Sequence, residues 1–517
     1  MGKTGLWLIA LAAIALVAGP AAAAGRSEQA PKAGARMKIS WLGMNTRGEL
    51  LQKNSPVEAY MEKRFDVDFE PWYDMDYYQT EQIRVRLASG DIPDFLYSQG
   101  NLSSLKDLGI IREVSQDALR KYMPKATATM QKLAPETLWS RTTIDGKNWG
   151  IPQALSISAA GPMIVTREDW MTAVGVTKKP ETIAELENLY LRYRNNDPDG
   201  NGKKDTYALS IFKSQNETII RESYFSQEFG AFGVTLNDWT KKGDRIEYSM
   251  TSAEFKEALK FLAEWYRKEI IDPEFLMDLR KETNAKFANG KLGAYEDFSS
   301  WTSEQPGGPV HSLKQLKPDI KYVYIISPKG PTGKRGTPNR DASSTPSVLG
   351  KQVSDDKMAR ILAIIDTLIM DPEVYATACY GIKDQHWKYT PQGFVEVLPP
   401  YNDAKEQSKI GVNYWRFQTV HDGNEKIYMP EYRYPAHRFA MENQTLLPLG
   451  FLPTLNTAMS TTAQNLARLE SEFFLKGLTG ALDIDKEWDG YLARWNAAGG
   501  DKLSAFVNDQ YKASLKQ

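Results

Sequence analysis

Two alternating apolar runs, Met37-Lys38-Ile39-Ser40-Trp41-Leu42-Gly43 and Val67-Asp68-Phe69-Glu70-Pro71-Trp72, flank a stretch of helical character between about Pro56 and Arg64. Period-two alternation suits a strand, and strand, helix, strand in that order begins an α/β lobe built on a parallel sheet. A second amphipathic helix is expected from Gln79 to Ala88. Gly90 supplies its stop and Pro93 prevents its continuation before the short strand Phe95-Leu96-Tyr97. Further along, helices are expected at Asp356 to Met370, Ala463 to Gly477 and Lys486 to Ala498. Phe255, Leu259 and Leu262 mark one apolar helical face, which places Trp265-Tyr266 in a core.

Ahead of the first strand, Lys3 precedes the apolar run Leu6 to Val17, then Gly19-Pro20 and the string Ala21 to Ala24. Residues 1–24 are therefore expected to be a secretory signal peptide, and residues 25–36 a polar, flexible leader. The run falls short of the ~20 residues that span a bilayer. A secreted, extracytoplasmic protein is expected, in the periplasm or at the outer cell surface. No cysteine stands near the cleavage point, so there is no lipobox. The single cysteine, Cys379, reads as a small buried apolar residue. Lys and Arg number 64 against 65 Asp and Glu, and loss of Lys3 leaves a charge of about −2. That balance argues against a nucleic-acid or anionic-membrane binder, which needs a basic surplus. About 490 residues remain after cleavage, enough for two or more lobes, and a monomer is expected.

The stretch Asp197-Pro198-Asp199-Gly200-Asn201-Gly202-Lys203-Lys204-Asp205 places oxygen side chains at alternate positions. Asp197, Asp199, Asn201 and Asp205 match loop positions 1, 3, 5 and 9 of an EF-hand; the Lys203 carbonyl falls at position 7 and Gly202 at the sharp turn. Position 12, the place of a bidentate Glu, is Ala208. A last ligand would come from water, from Thr206 or from elsewhere. Ile183, Leu186, Leu189, Tyr190 and Tyr193 recur at helical spacing before the loop, and Thr206 to Phe212 reads as a strand after it. Helix, loop and strand do not make a calcium sensor, so calcium is expected as a structural staple. Asp, Asn and Gly also dominate ordinary turns, which is the alternative.

Several motifs recur in a fixed order: Ala88-Ser89-Gly90-Asp91-Ile92-Pro93-Asp94, Asp145-Gly146-Lys147-Asn148-Trp149-Gly150-Ile151-Pro152, Thr166-Arg167-Glu168-Asp169-Trp170-Met171, Trp265-Tyr266-Arg267-Lys268-Glu269 and Phe287-Ala288-Asn289-Gly290-Lys291. From about residue 37 onward the chain resembles the family 1 extracellular solute-binding proteins of ABC sugar importers, and is most similar to the large, alginate-binding-like members. The resemblance implies an α/β, two-lobed periplasmic-binding-protein-like fold with a ligand cleft between the lobes. Residues 37–155 and 347–390 would form the first lobe, and 156–346 and 391–517 the second, with crossings near Pro152 to Ser158 and Arg340 to Pro346. It also implies an oligosaccharide ligand and, as partner, the transmembrane subunits of an ABC permease.

A sugar offers an apolar CH face and a ring of hydroxyls, so an aromatic side chain beside a polar one suits it. Loops with that pairing supply Asp297, Phe298 and Trp301; His386 and Trp387; Trp415 and Arg416; Tyr432 and Arg433. Trp41, Trp72 and Trp239 are weaker additions. Each aromatic could equally pack in a core, because Trp buries a large area wherever it sits. A secreted calcium-stabilised glycan hydrolase is the enzyme alternative, and a sugar sensor feeding a membrane receptor is a third. The hydrolase would need two carboxylates about 5–10 Å apart across the scissile bond. His311, His386, His421 and His437 lack zinc-site spacing, and neither a G-x-S-x-G nor a phosphate-cradling loop is present. No catalysis is expected.

Overall fold

The computed structural model describes residues 36–44, 49–75, 80–97, 102–155, 161–212, 223–339, 341–421 and 423–515. The expected signal peptide and the leader to residue 35 lie outside these residues, as do 156–158 of the first expected crossing and Arg340 of the second. Among the described residues no helix is long and apolar enough to cross a membrane.

The opening strand, helix and strand form as the alternation predicts. Met37–Leu42 runs parallel to Val67–Pro71, and the helix between them is Pro56–Phe65. Ser55 caps that helix by accepting from the Glu58 N–H, with proline at the first turn where no donor is needed. Asp66 ends it in the left-handed region at φ 48°. The first sheet has the order Val67–Pro71, Met37–Leu42, Phe95–Leu96, Ser343–Leu349, Ile151–Ala154. Its first three strands are parallel, and Ser343–Leu349 is antiparallel to both neighbours. Helix Asp355–Met370 covers this sheet through Ile361, Leu362, Ile365 and Leu368.

A second, three-stranded sheet has Pro162–Arg167 at its centre, antiparallel to Ala294–Phe298 on one side and Tyr322–Ile325 on the other. Its core gathers helices Ile183–Asn195 and Ala253–Arg267 with the terminal helices Thr457–Leu478 and Ile484–Trp495. Phe473 stacks on Tyr491 at 4.2 Å, and Trp265 is fully buried against Tyr190. The expected strand after the Asp197 loop is absent as a strand. Tyr207 and Leu209 make isolated parallel bridges to Leu292 and Ile271, because this segment threads between two loops.

Residues 410–417, expected in the second lobe, pack in the first core. The Trp415 ring lies 4.3 Å from Phe69 and 5.7 Å from Trp41. The Tyr414 hydroxyl donates to the Trp41 carbonyl at 2.5 Å and accepts from the Trp72 N–H at 3.0 Å. Gly43 has no room for a side chain, because a Cβ there would strike the Tyr414 carbonyl. The chain therefore passes between the two cores a third time. Val420 bridges to Leu155 in the first crossing, and helix Tyr434–Asn443 then packs Ala436 and Ala440 on Met163 of the second sheet. Cys379 is buried under Trp387, and burial pushes its thiol up to about 12.

Candidate functional site

Two adjoining cavities of about 330 and 340 Å³ open between the cores and share Arg141, Thr345 and Leu452. The first-core side supplies Ser103, Ser140, Thr143 and the polar run Ser343-Ser344-Thr345; the second-core side supplies Asn237, Asp238, Leu449, Gly450 and residues 452–455. Asn339 and Asp341, on the segment that crosses between the cores, complete the wall. The lining is rich in hydroxyl and carboxamide groups that can both donate and accept, which suits a polyhydroxylated molecule.

Asp341 organises the wall. Its carboxylate accepts from the Thr137 hydroxyl, from the Ser343 hydroxyl and, at 3.0 Å, from the Ser343 N–H. Arg141 Nε reaches Ser343 Oγ at 3.0 Å and lies 3.6 Å from Asp341. The Asp341 side chain is 5% exposed while that of Arg141 is 42% exposed, so the arginine faces the cavity and the aspartate holds it there. At the rim, Lys241 of the second lobe pairs with Glu136 of the first at 3.1 Å.

None of the twelve residues expected to touch ligand lines either cavity. Trp41 stacks on Phe95 at 3.8 Å with 1% exposure, and Trp415 is equally buried beside it, so both are core residues. Trp72 packs among Ile83 and Leu87 beneath the Arg86 guanidinium. Trp239, next to Asp238, is turned onto Tyr248. Trp387 donates its indole N–H to the Gly381 carbonyl at 2.7 Å, and His386 Nδ1 accepts from the Ile382 N–H at 2.8 Å. Burial lowers the His386 pKa, so the ring is a neutral structural acceptor. These six are corrections: each side chain is committed to packing or to a backbone bond.

The remaining six fall into two groups. Asp297, Phe298 and Trp301 sit together where Ala294–Phe298 ends, beside Pro162 of the neighbouring strand. Asp297 is buried and ion-paired with Arg280, whose guanidinium lies between the rings of Phe212 and Trp301 at 4.2 and 4.1 Å. Arg280 was not singled out in the sequence, where it stands in a charged Arg-Lys-Glu run without an adjacent aromatic. Arg416 stacks over Tyr428 and donates to Asn413 at 3.1 Å, while Arg433 is half-buried and Tyr432 exposed on the turn Glu431–Arg433. The Ser343–Thr345 and Asn237-Asp238 wall was also missed. Its one sequence signal is its place beside the expected crossing.

The Asp197–Asp205 loop follows helix Ile183–Asn195 as expected and lines neither cavity. Asp197 takes the Asn201 and Gly202 N–H groups at 3.0 and 2.8 Å. The Asn201 amide donates to Asp199 at 2.8 Å and to Asp205 at 3.1 Å, so all four side chains converge on the loop interior. Burial raises the Asp199 pKa, with the neighbouring Asp197 adding to it; the Gly202 N–H lowers that of Asp197. A cation would relieve that crowding of acids. The Lys203 N–H donates to Asn201 Oδ1 at 2.7 Å, and Thr206 is excluded as a ligand, since it is buried and donates to the Tyr193 carbonyl at 2.7 Å. Among the described residues no three His, Cys, Asp or Glu side chains stand grouped as a ready metal site; the Asn201 amide would have to turn its oxygen inward.

No protein-family model matches the chain. Among curated proteins it is 22% identical to Lipoprotein LipO of Bacillus subtilis over 89% of this chain and 88% of that one. It is 24% identical to the polygalacturonan/rhamnogalacturonan-binding protein YtcQ of the same organism, over 68% and 67%. Among solved structures, an extracellular solute-binding protein from Bifidobacterium longum subsp. infantis superposes with a TM-score of 0.71 at 16% identity, covering 94% of this chain and 100% of that one. An EF-hand mutant of the Streptococcus pneumoniae ABC-transporter substrate-binding protein FusA, in complex with fructo-nystose, gives 0.65 at 18% over 93% and 99%. The alginate-binding protein AlgQ2 without calcium ion gives 0.62 at 15% over 92% and 98%. Two cores, repeated crossings and a polar cleft thus coincide with these likenesses: the chain has the fold of the ABC-importer solute-binding proteins for oligosaccharides.

Proposed function

We propose that this protein is the extracytoplasmic substrate-binding component of an ABC importer, holding an oligosaccharide between its lobes and presenting it to the permease. The observation that carries the reading is the hydroxyl- and carboxamide-rich cavity pair between two cores, walled in part by a crossing segment. Such a cleft binds by rotating its lobes together, so the ligand contacts both and is shielded from water. FusA and YtcQ, whose names carry an oligosaccharide and a polysaccharide, support the ligand class. Phe298, Trp301, Tyr432, Arg416 and Arg433 remain as candidate outer contacts, with Asp297 holding Arg280 beside Trp301. The protein turns over nothing. The adjacent acids Glu296 and Asp297 do not serve as a hydrolytic pair: Asp297 is locked to Arg280, and Glu296 is buried and accepts from the Ser226 hydroxyl and the Gln227 N–H.

In the loop, Asp197, Asp199, Asn201, Lys203 and Asp205 would hold calcium, which would supply a rigid staple to the second lobe. The expected form is a monomer, retained outside the cytoplasm. The test is a glycan panel incubated with purified protein. Binding without change in the sugars supports the reading, and shorter sugars in the mixture defeat it.

A further inference from the structure

The second-lobe ends of two crossings meet at one side chain, which also reaches, through Ser327, the segment following the third. Gln227 lies on the short helix Ser226–Ala231 with no exposed surface. Its Nε2 donates to the Pro162 carbonyl at 2.6 Å, at the end of the first crossing. The same Nε2 reaches Thr337 Oγ1 at 3.3 Å, where the second crossing leaves the lobe. Its Oε1 accepts from the Ser327 N–H at 2.6 Å, and Ser327 holds the left-handed backbone φ of 50° that aims that N–H at it. Ser327 Oγ then lies 3.2 Å from both the Thr445 carbonyl and the Thr445 N–H, in the segment that follows helix Tyr434–Asn443. Thr337 also joins this segment directly, donating its N–H to the Thr445 carbonyl at 2.7 Å and accepting from Leu447 at 3.0 Å.

We propose that Gln227 is the positioning residue of the hinge: its amide ties together the second-lobe ends of the first two crossings and, through Ser327, the segment behind the helix that brings the chain in a third time, so that the lobes swing about a single axis. Only a carboxamide serves, because the site needs a donor to Pro162 and Thr337 and an acceptor from Ser327 at once. A buried network with every member satisfied rigidifies what it joins, and its loss leaves unpaired backbone groups that recover bonds only by moving apart. Glu296 anchors the node from below, accepting the Gln227 N–H at 2.8 Å and the Ser226 hydroxyl at 2.5 Å.

The inference rests on the reading that the lobes move, and the test separates the two. Spin labels on Asp117→Cys in the first lobe and Lys281→Cys in the second, whose native side chains are 96% and 89% exposed, report the interlobe distance without any sugar. Gln227→Met keeps the chain length and removes donor and acceptor; it is expected to broaden and shift the distance distribution. Leu262→Ala, in the same core but away from the crossings, lowers melting temperature and should leave the distribution alone. Should Gln227→Met fold poorly, Thr337→Val removes one hydroxyl of the node and should shift the distribution the same way by less. Distributions that match the Leu262→Ala control overturn the inference. A wild-type distribution that no glycan narrows would instead count against the binding reading.

Discussion

The carboxyl pair under the hinge predicts an unusual pH dependence. Glu228 is fully buried, faces the Glu296 carboxyl, and among the described residues neither of its oxygens has another hydrogen-bond partner. Burial raises both, Glu228 well above the ordinary range and Glu296 to about 7. A carboxyl that holds its proton more tightly folded than unfolded stabilises the fold below its unfolded pKa, and that contribution is lost as pH climbs to the folded value. For Glu296 the window runs from about 4.5 to about 7, and the loss across it is about 3 kcal/mol. Glu228 acts in the same direction. The perturbation is Glu296→Gln, which keeps the acceptor for the Ser226 hydroxyl and the Gln227 N–H. Denaturant unfolding of wild type and variant at half-unit steps from pH 4.5 to 8, followed by subtraction, cancels the carboxylates remote from this pair and leaves Glu296 together with its effect on Glu228. Wild type should lose stability relative to the variant as pH rises, by about 3 kcal/mol at the top of the window. A flat difference curve would refute the reasoning, and so would a difference of opposite sign.

The Asp197–Asp205 loop gives a linkage prediction. Free calcium at a hundredfold above its dissociation constant should stabilise the fold by ~2.7 kcal/mol, read as a melting temperature that EDTA lowers and that Asp205→Ala makes insensitive to EDTA. Trp415→Ala should cost about 3–5 kcal/mol, because it empties a site packed between Trp41 and Phe69. Glycan affinity of the folded fraction, measured by calorimetry, should stay at the wild-type value; a loss in proportion to stability would return Trp415 to the binding surface.

How much of this was legible in the sequence differs by element. The first strand, helix and strand announced themselves by alternation around a helical stretch, and the structure adds the Ser55 cap and the first-turn proline that agree with it. Helix Ile183–Asn195 announced itself too, and its five apolar marks are all buried. Thr206–Phe212 has strand composition yet bridges two loops, since strand formation depends on a partner edge that composition does not reveal. The cleft was hidden for a related reason. Trp41, Trp387 and Trp415 carry the strongest apolar signal and therefore went to the interior, while the cavity wall is made of serine, threonine and asparagine, which are ordinary in any loop. The turn at Asp197–Asp205 was readable because four oxygen side chains at fixed spacing accompany two glycines, both at positive φ.

The late return of Tyr414 and Trp415 to the first core bears on how the molecule can come into being. A bond between Trp41 and Tyr414 spans 373 positions, and the second core waits for Phe473, Trp488 and Tyr491. Neither lobe has all its parts until the chain is nearly all present, so neither is a module that can be cut out or made alone. Loops that long are slow to close. A chain emerging end first through a membrane would spend most of its passage with both interiors incomplete, and its folding would be an event of the far side.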